Sequence, residues 1–128
     1  MIKLRPRETV ILADDFSALV AWYRDVLGFK VTDLFEDEYH YCCLQTSSGI
    51  LIGIADAREM EVVPDDRNKN TVLLQFEVDD VKTFFDYLEQ SGGTITFGPS
   101  FDKSGEFWCG AFTDLEGNPI WVVDKDCP

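Results

Sequence analysis

The sequence predicts an α+β domain made of two copies of a strand–helix–three-strand unit, and three observations support that prediction. Residues 8–31, ETVILADDFSALVAWYRDVLGFKV, read as a strand, an acidic break, an amphipathic helix, a glycine stop and the start of another strand. Residues 71–93, TVLLQFEVDDVKTFFDYLEQSGG, repeat that order. A shift of 65 residues lays Asp14 on Asp79, Asp15 on Asp80, Leu19 on Phe84 and Gly28 on Gly93. Two copies of a unit this long do not make a solenoid; they make one domain with internal pseudo-symmetry.

Residues 9–13 are short, β-branched and apolar, as a strand requires. Asp14 and Asp15 break the run, and Asp14, Asp15 or Ser17 can cap the helix that follows. Leu19, Trp22, Tyr23 and Val26 recur at three- and four-residue spacing, the mark of one buried helix face. Gly28 supplies a left-handed stop. Strands are predicted over residues 29–34, 39–45 and 50–55, the last so apolar that burial on both faces is expected. Residues 56–70 are polar, contain Pro64 and end in DDRNKN, so they read as a linker. In the second copy, residues 71–78 read as a strand. A helix follows over 81–90, with Val81, Phe84, Phe85 and Leu88 on its apolar side. Further strands are predicted at 94–97, 107–113 and 120–123. Residues 100–105 read as a polar loop and 114–119 as a tight turn. The paired aspartates sit at helix starts, where they cap and meet the positive end of the dipole.

At 128 residues the chain is expected to be a single domain over 1–128, with modules at about 8–56 and 71–124 and a linker at about 57–70. Twenty-four acidic residues against eleven basic ones leave a formal charge of −13. That field repels nucleic acid and anionic membranes, keeps the chain soluble and attracts cationic ligands. No apolar run approaches the roughly 20 residues needed to span a bilayer. MIKLRPRE is not followed by the apolar stretch of a secretory signal, so a cytoplasmic location is expected. Cys42, Cys43, Cys109 and Cys127 lack zinc-type spacing and read as reduced thiols, Cys127 exposed near the end of the chain. There is no G-x-S-x-G elbow, phosphate-cradling glycine loop or H-E-x-x-H helix.

Three stretches carry a family likeness: Asp15 followed by WYRDVLGF up to Phe29, VDDV at 78–81, and FTDLEGNPI at 112–120. Together they resemble the vicinal oxygen chelate superfamily, which includes glyoxalase I, extradiol dioxygenases and bleomycin-resistance proteins. The resemblance implies paired βαβββ modules forming a cupped mixed sheet, and in the enzymes a divalent metal held there by His, Glu or Gln side chains. It places the first ligand seven residues before the helix-opening aspartate, at Glu8, which can ligate a hard cation. The matching position of the second module is Leu73. The ligand after the GNPI turn is replaced by Trp121, and residues 50–55 offer no acid, amide or imidazole. One carboxylate does not hold a divalent ion against water. No metal or other cofactor is therefore expected. His40, the sole histidine, reads as structural or surface-lying.

Strand alternation puts Glu8, Val10 and Leu12 on one face, and Leu73, Gln75 and Glu77 on one face of the second unit. The opposite set, Val72, Leu74, Phe76 and Val78, suits packing under a helix. Trp121 and Val123 join Gln75 if Ile120 and Val122 face the helices. The expected function is metal-free binding of a small cationic or aromatic molecule in the cup, in the manner of bleomycin-resistance proteins. Glu8, Gln75, Trp108 and Trp121 are the expected contacts, since tryptophan beside a carboxylate receives flat cations well. The alternative is a divalent-metal-dependent lyase or dioxygenase of the same superfamily, using Glu8 and His40. A homodimer is the expected assembly, as such chains often pair.

Overall fold

The computed structural model describes residues 2–128, which form two compact units, one ending at Asp65 and the other running from Asp66 to Pro128. The first unit contains β1 (Thr9–Ala13), α1 (Phe16–Asp25), β2 (Lys30–Phe35), β3 (Tyr41–Gln45) and β4 (Leu51–Asp56). Its sheet has the order β1-β4-β3-β2, with β1 parallel to β4 and the other pairs antiparallel. The second unit contains β5 (Leu74–Val78), α2 (Val81–Gln90), β6 (Thr94–Asp102), β7 (Phe107–Thr113) and β8 (Pro119–Asp124). Its order, β5-β8-β7-β6, repeats the first, again with one parallel pair.

The 65-residue repeat is visible in the caps. Asp15 accepts a hydrogen bond from the Ala18 backbone N–H at 3.1 Å, and Asp80 accepts one from Thr83 at 2.8 Å. Each satisfies a donor that the first helical turn leaves unpaired. Among the three capping candidates of the first helix, Asp15 holds the cap. Gly28, at φ 73°, lets the Phe29 N–H turn back to the Tyr23 carbonyl at 3.0 Å and ends that turn.

Alternation divides each sheet into a helix-packed face and an opposite one. In the first unit Ile11, Ala13, Cys42, Leu44, Ile52 and Ile54 are buried, and α1 adds Phe16, Leu19, Val20 and Tyr23. Trp22 and Val26, expected on that helix face, are half-buried at its border. In the second unit Ile120 and Val122 are fully buried with Val81, Phe85 and Leu88 of α2. Each such aliphatic side chain contributes roughly 1.5–3 kcal/mol on burial.

Five expectations need correction. Ile50 and Leu51 are exposed, so the 50–55 strand is not buried along its whole length. The 56–70 stretch is not plain linker, because it forms two short 3-10 turns, Arg58–Met60 and Arg67–Lys69. Strand β6 continues through Gly98 and Pro99 into the stretch expected to be loop. Register shifts absorb the proline, which has no N–H for the ladder. Strand β5 starts only at Leu74, and Cys127 is half-buried rather than exposed.

Candidate functional site

On the second sheet, the face away from α2 opens a cavity of about 350 Å³. Its floor follows from register. Gln75 of β5 stands beside Trp121 of β8, and Trp121 beside Ala111 of β7, while Val123 pairs with Cys109. These residues and Phe97 of β6 line the cavity. Trp121 is 52% exposed and Phe97 56%, so two large rings present their surfaces to solvent instead of filling a core. Gly110 contributes from the other side of β7. A Cβ there would meet the Phe85 ring at 2.4 Å, so the missing side chain seats α2 against the sheet. Gln75 is the polar point in an otherwise apolar lining, with Glu77 next along the same face of β5.

On the equivalent face of the first sheet, Tyr41 donates its phenol hydrogen to Glu8 Oε1 at 2.5 Å. The ring crosses β4 at Gly53, where a Cβ would collide with the phenol oxygen. Burial, reinforced by the Glu8 carboxylate, holds the Tyr41 phenol well above the usual tyrosine range, so it is a proton-bearing donor at neutral pH. The neighbouring Cys43 thiol is also pushed up, first by burial and then by Glu8, and is not an activated nucleophile.

The other expected site residues fall elsewhere. Trp108 lies on β7 with its ring under the Lys82 ammonium, 3.8 Å from the centroid, and edge-on to Phe101. Its cation–π face is thus occupied by a residue of α2, and it does not line the cavity with Gln75 and Trp121. His40 is not beside Glu8. It precedes β3, where Glu59 accepts from both its backbone N–H, at 2.8 Å, and its ring. Phe97, Cys109 and Ala111 were not anticipated as lining. Alternation along 107–113 carried the signal for the last two, whereas Phe97 depends on where β6 bulges.

A protein-family model, the Glyoxalase/Bleomycin resistance protein/Dioxygenase superfamily, matches residues 5–122. The chain belongs to this superfamily. Solved structures agree on the fold. A superfamily member from Sphaerobacter thermophilus superposes with a TM-score of 0.76 at 15% identity, covering 98% of this chain and 100% of that one. A family enzyme from Burkholderia phytofirmans gives 0.69 at 20% identity, covering 91% and 95%. A hypothetical protein from S. aureus gives 0.76 at 15%, covering 95% of each. No curated protein matches the chain.

The superfamily's metal chemistry can be tested against the residues present. Leu73 and Trp121 have no donor atom for an ion. On β4, the face shared with Glu8 carries Leu51, Gly53 and Ala55. Glu8 itself is engaged by Tyr41. These residues do not fit the superfamily's metal, and no step is derived through it. Among the described residues no helix is long and apolar enough to cross a membrane.

Proposed function

We propose that the chain is a small-molecule binding protein that holds a flat, partly aromatic ligand against Trp121 and Phe97 without using the superfamily's metal. The observation behind this reading is the 350 Å³ cavity over β5, β8, β7 and β6, whose size suits a small ligand and whose aromatic walls are exposed. Gln75 offers both a donor and an acceptor to orient one polar group. Glu77 on the same face and the net charge of −13 favour a cationic ligand. In this reading the protein sequesters its ligand, as the bleomycin-resistance members of the superfamily do, and performs no reaction at the cavity.

The test uses the three tryptophans. With 5-fluorotryptophan incorporated, titration with proflavine, a planar aromatic cation, should move the Trp121 fluorine resonance and leave Trp22 in place. Addition of a chelator should not change the titration. Movement of all three resonances alike, or none, would count against the cavity as the site.

A further inference from the structure

We propose that His40, Asp56 and Glu59 form a divalent-cation site in the first unit, where β4 ends and β3 begins. One ligand atom from each of the three lies within 4.8 Å of the others. Asp56 closes β4, pairing with Ala13 at the end of β1, so alternation puts its side chain on the face of Ile52 and Ile54, away from Gly53. Its backbone N–H reaches the His40 carbonyl at 3.4 Å, which ties the start of β3 to the end of β4. Glu59 follows in the turn Arg58–Met60 and accepts from His40 twice. Phe16 packs edge-on against the imidazole at 5.4 Å and fixes the ring plane. None of these residues belongs to the pocket lined by Trp121, so the proposal stands independently of the ligand reading.

Two observations point to an ion. The first is Asp56 itself, only 7% exposed. Its Oδ1 accepts from the Arg58 N–H at 3.0 Å, and its other oxygen, which accepts no hydrogen bond among the described residues, is open to solvent rather than sealed. The Arg58 guanidinium stands 3.8 Å from the same Oδ1, but that side chain is 84% exposed and turns easily into solvent. A largely buried carboxylate facing so loosely held a cation leaves a place that a metal ion can take. The second is space. A cavity of about 440 Å³ opens beside His40 and Asp56, lined also by Arg58 and by Asp14, Asp15, Phe16 and Ser17 at the start of α1, with Glu59 outside its lining. One imidazole and two carboxylates suit zinc, manganese or iron(II) better than calcium or magnesium, which prefer all-oxygen shells. His40 Nδ1 and Glu59 Oε2 share a hydrogen bond at 2.5 Å, so an ion bonding near 2.1 Å enters by displacing that proton and opening the pair toward an edge of about 3.4 Å. Glu59, whose side chain is 30% exposed, is the group with freedom to make that room.

Because His40 is the only histidine, its ring protons report the site directly. Manganese(II), which does not favour thiolates, should broaden the His40 resonances at one equivalent, and calorimetry should give one ion per chain. Asp56→Asn, or Glu59→Gln should Asp56→Asn misfold, should weaken binding at least tenfold. Glu8→Gln, at the position of the superfamily ligand, should leave it unchanged. The proposal is overturned if His40 resonances stay sharp with manganese and unshifted with zinc. It is equally overturned if broadening survives Glu59→Gln undiminished or disappears in Glu8→Gln.

Discussion

Gly53 and Tyr41 show how one missing side chain sets the character of a face. The phenol reaches Glu8 only because β4 presents no Cβ beneath it. Gly53→Ala should therefore cost about 1–3 kcal/mol by overpacking, read as a lower urea midpoint with an unchanged slope. The sign of the pH dependence follows from Tyr41. Its folded value is raised by burial and by Glu8, so above the ordinary value of about 10 the unfolded chain loses the proton first. The stabilisation is whole below that pH and declines as pH rises toward the folded value. Urea midpoints should fall more steeply above pH 10 in the wild type than in Tyr41→Phe. The thiols divide in the same physical terms. Cys42 is fully buried, and burial together with Cys43 pushes its pKa up to about 11. At pH 8 a chromogenic disulfide reagent should label Cys127 first and reach Cys42 only after denaturation.

At the scale of elements, the DLEGNP motif is explained by its hydrogen bonds. Asp114 Oδ1 accepts from the Glu116 and Asn118 backbone N–H groups at 2.9 and 3.0 Å, and its Oδ2 from the Asn118 amide at 2.8 Å. Arg67 then clamps the turn, donating to Glu116 Oε1 at 2.7 Å and Asn118 Oδ1 at 2.9 Å. The two charged side chains are 14% and 9% exposed, so Arg67→Ala strands a nearly buried carboxylate. A loss of about 3 kcal/mol is expected in chemical denaturation. The turn was legible in the sequence because its bonds are local. The role of Arg67 was not, since its partners lie 49 and 51 residues away. The DDRNKN stretch therefore read as linker, although Asp66 caps a short turn that delivers this arginine. Helix starts were readable for the opposite reason. Asp15→Ala should cost about 1 kcal/mol, as the loss of a helix cap does, and Asp80→Ala should lower the urea midpoint in the same direction.

At the scale of the molecule, the repeat produces two sheets of the same strand order with differently equipped open faces. The first bears Glu8, Tyr41 and Gly53; the second bears Gln75, Trp121 and Phe97. Period-two alternation puts Gln75, Trp121 and Val123 together from the sequence alone, because a strand fixes which residues share a face. It could not place Phe97, which depends on bulges around Gly98 and Pro99, nor Trp108, whose partner Lys82 sits on a helix. The His40 cluster was hidden as well, since Asp56 and Glu59 lie in a stretch without periodicity. The most direct test of the ligand reading is calorimetric titration of the wild type and Trp121→Ala with proflavine. The account predicts at least tenfold weaker binding in the variant, the worth of one desolvated ring–cation contact, with an unchanged urea midpoint. Equal affinity in the two proteins would contradict it.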